Sequence, residues 1–526
     1  MSDVFIEISN RAGTSYRPTT GEVVLQPNSY RVASLGGPVE ASITAYGTRE
    51  SLYDLIEWLR CPIRMFDSFA QNLFWGYINE VQIRTDALEI AVTLDSMANK
   101  VAVEYSSMTP GQAVVGQQVI TDWQQNDVSI ATYGTKELIA TLSDVSTNLA
   151  EVKRGLLLEE KKYPLTTWYM SGQQGSLSAT LLCKGWWSTL DWKYYLNNSG
   201  YEAYTESGEG VHQLGNDSGH MFCAQSYQLG VAVGWYADKV LIKLRKEGSP
   251  ADNVRISLYS DVAGAPGTEL AYALAAGTSV PTDYNWMMVD LNTRVWHAPA
   301  TTYWLVLTRS GAADSSNYYW IDVNEELGYT RGVFRYGNGS SWNARSPDAD
   351  MNFEVEGSIE TSQQLSTLAT QCGQFLTGGV KLDVASGVYS CPYRPGTTTG
   401  LAEALVLLKA GTSNSRRMLA EVTVNKVLRV YEEPARPTNP QLLMTSSGRV
   451  RDITGSVWPP FWAPVGKWVG MHDVIPSTID STRIADPYMV FIDEYSYSFL
   501  DKVGTLYPRT EPSPWNVGVI PEQDKP

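Results

Sequence analysis

Side chains that commonly do chemistry are scarce in this sequence. Its four histidines, His212, His220, His297 and His472, lie outside any HExxH pattern, and none sits beside a carboxylate at metal-ligand spacing. His212 and His220 bracket a glycine-rich turn, which ordinary loop residues explain better than a metal centre. Five cysteines (Cys61, Cys183, Cys223, Cys372 and Cys391) form no CxxC pair, so neither a zinc site nor a disulfide framework is expected, and folding in a reducing cytoplasm is the simplest account. The GxSxG elbow, the GxxxxGK[ST] phosphate loop and a strand-borne GxGxxG turn are all missing. Expected catalytic residues, metals and cofactors are therefore none.

Paired carboxylates are the machinery of glycoside hydrolysis. Asp322, Glu325 and Glu326 follow the aromatic run Tyr318-Tyr-Trp-Ile. With 56 Asp and Glu in the chain, such neighbours arise by chance, and a solvated strand end is the preferred reading. Aromatics are the better lead. Trp286, Trp296, Tyr303, Trp304, Tyr318, Tyr319, Trp320, Tyr336 and Trp342 crowd together, and successive strand residues face opposite ways. Some of these rings must therefore lie outside a core, where flat aromatic faces stack on sugars or anchor interfaces. Trp286, Tyr319, Tyr336 and Trp342 are the expected carbohydrate contacts, with Tyr336 and Trp342 assigned to loops.

A β-rich scaffold must position these groups. Period-2 runs such as Val4–Ile8, Ile63-Arg-Met-Phe and Glu89-Ile-Ala-Val-Thr-Leu read as strands, and Leu52, Leu55, Ile56 and Leu59 give one short helix closed by Pro62. Tyr46-Gly-Thr-Arg-Glu recurs as Tyr133-Gly-Thr-Lys-Glu, and the same offset carries Ala91-Val-Thr-Leu to Ser178-Ala-Thr-Leu. That suggests a duplicated β-domain, 1–108 and 109–202. Short strands separated by Gly248-Ser-Pro, Gly264-Ala-Pro-Gly and Gly337-Asn-Gly describe an antiparallel sandwich over 203–358. Two further segments follow: an α+β domain at 359–434, and a Pro- and Trp-rich stretch at 435–526 ending in an extended arm. The fold class is mainly β.

At 526 residues the chain is long enough for several domains. A net charge of −16 argues against a nucleic-acid binder, because phosphate affinity rests on cations. Apolar residues make up 43 %, which excludes bulk disorder, and no stretch is long and apolar enough to span a membrane. No signal peptide is visible at the N-terminus.

Leu35-Gly-Gly-Pro-Val-Glu-Ala, Leu59-Arg-Cys-Pro-Ile, Leu73-Phe-Trp-Gly-Tyr-Ile-Asn-Glu-Val and Leu94-Asp-Ser-Met-Ala-Asn-Lys-Val-Ala-Val-Glu-Tyr resemble tail proteins of tailed bacteriophages. Gly185-Trp-Trp-Ser-Thr-Leu-Asp-Trp and Leu407-Leu-Lys-Ala-Gly-Thr-Ser-Asn-Ser-Arg-Arg-Met-Leu-Ala-Glu-Val extend the likeness, and the nearest role is the baseplate or tail-tip hub. The resemblance implies a non-enzymatic virion protein, assembled in the host cytoplasm as a homotrimer whose two tail-tube-like β-barrels imitate a hexamer. Its implied partners are tail tube and distal tail proteins above and a spike or fibre below, with DNA passing through unbound and no membrane insertion. The block at 203–358 is similar to carbohydrate-binding sandwiches, through Gly264-Ala-Pro-Gly, Tyr303-Trp-Leu-Val-Leu and Phe353-Glu-Val-Glu-Gly, which implies a host surface glycan as a further partner. A sixfold distal tail protein with a receptor-binding insertion and a polysaccharide-degrading enzyme are the alternatives.

Overall fold

The computed structural model describes residues 4–13, 23–106, 118–143, 145–206, 210–325, 328–345, 348–384, 388–438, 441–444, 449–470 and 489–509. The protein is mainly β, built from several largely antiparallel sheets. It divides into two units. One comprises residues 1–195, 365–387 and 397–526, and the other residues 196–364 and 388–396.

The first unit opens with β1 (Val4–Ile8), β2 (Val23–Ala33), β3 (Leu35–Gly47), α1 (Arg49–Tyr53), β4 (Pro62–Asp67) and β5 (Asn72–Thr93). Thr48 caps α1 by accepting the Ser51 N–H at 3.2 Å, and a single turn of 3₁₀ helix over Asp54–Trp58 continues it. Leu52, Leu55 and Leu59 are fully buried, as their spacing requires. A small lobe follows, made of β6 (Lys100–Ser106), β7 (Gln118–Ile120), β8 (Gln124–Gln125), α2 (Asp127–Tyr133), β9 (Glu137–Leu142) and α3 (Thr147–Lys161). Here β6 pairs antiparallel with β7 and β8 and parallel with β9, and Val101, Val103 and Tyr105 pack with Ala150, Leu157 and Leu158 of α3. The chain then returns along β10 (Leu165–Gly185), which pairs with β5 over most of its length and with β3 over Ala179 to Lys184.

The offset of the Tyr-Gly-Thr motifs does not mark a repeated unit. Tyr46-Gly-Thr leaves β3 and enters α1, whereas Tyr133-Gly-Thr leaves α2 and enters β9. The glycines differ accordingly: Gly134 takes φ +87° to end a helix, a conformation Gly47 does not adopt. Ala91 and Ser178 lie in β5 and β10, which are partners in one sheet. Residues 109–202 thus contribute part of a small α+β lobe and one long strand of the first sheet, not a second barrel.

The far end of the chain completes that sheet. Met489–Ser498 pairs antiparallel with β2, and Met418–Val422 runs parallel to β3. Leu365 and Leu368 of α4 (Thr361–Cys372) and Leu407 of α5 (Gly400–Lys409) join Leu52, Ile63, Phe74, Leu181 and Trp186 in the core. The arm expected for the last fifteen residues, His472 and Glu326 lie outside the described residues.

Beyond β11 (Tyr194–Asn197), the second unit is a sandwich. Its strands are β12 (Tyr201–Tyr204), β13 (Gly210–Leu214), β14 (Phe222–Tyr227), β15 (Trp235–Glu247), β16 (Val254–Val262), β17 (Ala265–Ala275), β18 (Asn285–His297), β19 (Tyr303–Arg309), β20 (Tyr318–Asn324), β21 (Phe334–Gly337), β22 (Trp342–Ala344), β23 (Asp350–Met351) and β24 (Phe353–Glu360). One sheet runs β12-β24-β15-β20-β13 with β18 on the free side of β15; the other runs β17-β16-β19-β14-β21-β22. Alternate residues of the facing strands fill one core. Val240, Ile242, Leu244, Ile321 and Phe353 from the first sheet meet Ile256, Leu258, Leu305 and Leu307 from the second.

Candidate functional site

The outward face of β15 defines the site. Because Val240, Ile242 and Leu244 point into the core, Leu241, Lys243, Arg245 and Glu247 must point away from it. Lys243 lies opposite Trp286 of β18, and Arg245 lies opposite Trp320 of β20. The Arg245 guanidinium sits 5.3 Å from the Tyr284 ring and 5.2 Å from the Trp320 ring, between two flat faces.

The two cations beside the rings are each matched by a carboxylate. Lys243 Nζ is 3.1 Å from Asp322 Oδ2, and Arg245 Nη1 is 3.1 Å from Glu247 Oε2. The Trp320 indole N–H donates to the same Glu247 oxygen at 3.0 Å. That hydrogen bond, followed by the one from Arg245, holds the Glu247 carboxyl below its ordinary range. Asp322 Oδ2 also accepts Asn352 Nδ2 at 2.6 Å, while the buried Asn352 Oδ1 has no hydrogen-bond partner. The result is a surface of aromatic rings and pre-aimed donors and acceptors in which Lys243 and Arg245 are both paired, with Glu354 and Glu356 of β24 opposite Leu241 and Lys239 adding further carboxylates along β15.

Of the four aromatics expected to contact sugar, Trp286 is on this face and half-buried. Tyr319 is not available. It is fully buried, and its hydroxyl donates to the Asp252 carbonyl at 2.6 Å. Alternation along Tyr318-Tyr-Trp demanded that one ring turn inward, and Tyr319 is the one that does. Tyr336 and Trp342 belong to the other sheet, on strands β21 and β22 rather than on loops. Tyr336 stacks on His220 with centroids 4.9 Å apart, and Trp342 meets Phe222 edge-on at 6.1 Å. Sequence reading left out Tyr284, Lys243 and Arg245. Their signal was the alternation from Val240 to Glu247, which places the two cations on the face away from the core.

His212 and His220 do come together, with ring centroids 5.4 Å apart. His220 Nδ1 pairs with Asp217 at 2.9 Å. His212 is buried, and burial, followed by the charges of His220 and Arg345, pushes it down to about 3. Among the described residues no group of three or more His, Cys, Asp and Glu side chains could hold a metal ion. Asp322 and Glu325 serve different ion pairs: Glu325 meets Arg345 at 2.5 Å, whereas Asp322 meets Lys243.

Further apolar side chains are exposed in the first unit. On α3, Ala150, Leu157 and Leu158 face inward, leaving Leu149, Val152 and Leu156 exposed at helical spacing. Val128 of α2 is exposed as well. On β10, Trp168 is 62 % and Met170 92 % exposed. Among the described residues, the edge of Leu165 to Met170 away from β5 pairs with no strand, and it carries no charge. Unprotected edges of this kind pair with other chains.

No family model and no curated protein matches the chain. Among solved structures, it is similar to the VP2 subviral particle of infectious bursal disease virus, at 10 % identity and a TM-score of 0.16 over 64 % of this chain and 73 % of that one. It is also similar to the Cry4Aa toxin of Bacillus thuringiensis, at 9 % identity and a TM-score of 0.13 over 68 % of this chain and 58 % of that one. A third similar structure, the cycloalternan-forming enzyme of Listeria monocytogenes, aligns at 10 % identity and a TM-score of 0.15 over 67 % of this chain and 30 % of that one. At such scores neither a fold nor a function carries across.

Proposed function

We propose that the chain is a non-enzymatic structural protein of a phage virion, a homotrimeric baseplate or tail-tip hub. In this reading it joins tail tube and distal tail proteins to a spike or fibre, lets DNA pass unbound, and carries the sandwich as a peripheral glycan-binding module. The observation that carries it is the apolar surface of Val128, Leu149, Val152, Leu156, Trp168 and Met170, together with the uncharged edge of β10. Exposed apolar side chains of this kind mark an interaction surface, because each Leu- or Trp-sized side chain removed from water contributes roughly 1.5–3 kcal/mol. A building block gains that contribution on assembly, whereas a lone enzyme leaves it unused. The net charge of −16 fits a conduit that must not hold DNA.

Substituting Trp168→Glu with Met170→Glu places two charges at exposed positions of β10. The expected outcome in sedimentation velocity is dissociation to monomers with an unchanged far-ultraviolet spectrum. Retention of the wild-type assembly by this variant would count against β10 as a contact surface.

A further inference from the structure

We infer that the outer face of the sheet that contains β15, around Trp286, Trp320 and Tyr284, binds an uncharged polysaccharide chain. This rests on the sandwich being the glycan-facing module and specifies its binding face and its ligand class. Three features select the occupant. Trp286 and Trp320 stand opposite Lys243 and Arg245 on neighbouring strands, so rings of the kind that stack on the C–H faces of sugars are interleaved with ions, which an apolar protein partner would not require. Lys243 and Arg245 are each neutralised by a carboxylate on the same face, so an anionic polymer gains no net attraction. Paired ions still present fixed donors and acceptors side by side, the arrangement that vicinal hydroxyls satisfy.

The face is long enough for several sugar rings. Along β15, nine positions separate Arg245 from Tyr236, roughly 30 Å at the strand rise. At that far end Tyr236 lies opposite Trp296, which is 50 % exposed, and their rings meet at 5.0 Å. Aromatic platforms thus stand at both ends of one strand pair.

The test uses the full chain in affinity gel electrophoresis against soluble glucans, mannans and galactans, with polygalacturonate as the anionic polymer. The expected result is retardation by at least one neutral polymer and not by polygalacturonate. Trp286→Ala and Trp320→Ala should each weaken it by about tenfold or more. Trp342→Ala, on the other sheet, should leave it unchanged, and Trp286→Phe should keep part of it. Far-ultraviolet spectra identify any variant that has lost its fold. No retardation by any neutral polymer, binding confined to polygalacturonate, or equal binding by Trp286→Ala and wild type would overturn the assignment. The gel does not read oligomeric state, so failure here and failure of the hub reading are separately visible.

Discussion

Acidification from pH 7 to pH 4 is expected to unfold the sandwich unit. His297 is completely buried, with its ring stacked on Tyr303 at 3.9 Å and on Trp235 at 5.4 Å. Its Nδ1–H donates to the Val295 carbonyl at 3.0 Å, and its Nε2 accepts from the Tyr227 hydroxyl at 2.6 Å, a network that fits the neutral ring. Burial pushes His297 down to about 4, with the Val295 hydrogen bond opposing it, and burial pushes His212 down to about 3. A base with a depressed folded-state value is fully stabilising above its unfolded value, near 6.5, and loses that contribution as pH falls toward the folded value. By pH 4 each histidine removes about 3 kcal/mol, and a domain holds only about 5–15 kcal/mol in all. Asp350 and Glu354, whose carboxyls are raised chiefly by burial, act in the opposite direction. Thermal melts of the full chain should show one transition moving down already between pH 6.5 and pH 5, above the ordinary carboxylate range. A transition that holds its temperature across that window would contradict the account.

Replacing Arg309 with Met should cost about 3 kcal/mol, because it removes a buried guanidinium and leaves the partly buried Asp252 carboxylate without its cation. Arg309 is nearly buried. Its Nε and Nη2 grip both Asp252 oxygens at 3.0 and 2.6 Å, and its Nη1 donates to the carbonyls of Gly215 at 2.9 Å and Asn317 at 2.8 Å. One side chain therefore ties three turns to the end of β19. Burial alone would raise the Asp252 carboxyl; the Arg309 hydrogen bonds, the Gly311 N–H and the Arg309 charge outweigh it and hold the group low. Gly215 takes φ +81°, and a Cβ there would stand 2.0 Å from Arg309 Cδ, so glycine is required beside this guanidinium. Urea titration of Arg309→Met, and of Arg309→Met with Asp252→Asn, measures the effect. The double variant should recover part of the loss, and a cost below about 1 kcal/mol for the single variant would show the pair to be dispensable.

Local periodicity made much of the β architecture legible. The alternation of Val240 to Leu244 and of Tyr318 to Val323 carries inward and outward faces in the order of the residues themselves, and Leu52, Leu55 and Leu59 carry a helical face. Pairing over long distances has no such local trace. Nothing near Ser29 announces that its neighbour in the sheet is Ser498, and β5, of which the run Glu89-Ile-Ala-Val-Thr-Leu marks only the far end, is one strand of 22 residues. The parity of a strand was readable but its phase was not: which of Tyr318, Tyr319 and Trp320 turns inward depends on the opposite sheet, where Tyr319 finds the Asp252 carbonyl. A tripeptide turn misled for a related reason, since Tyr-Gly-Thr accommodates both a strand-to-helix and a helix-to-strand junction. Of the candidate face, Trp286 was visible from the sequence. Lys243 and Arg245 became part of it only once their cross-strand partners were known.

As a component of a threefold ring, the chain should reveal itself by its mass in solution. Mass photometry of the purified full chain at nanomolar concentration, extended to micromolar by light scattering, should give a species three times the 58.2 kDa chain. A single 58.2 kDa species at every concentration would contradict it, because the apolar surface of α3 and β10 would then face water in the protein's working state.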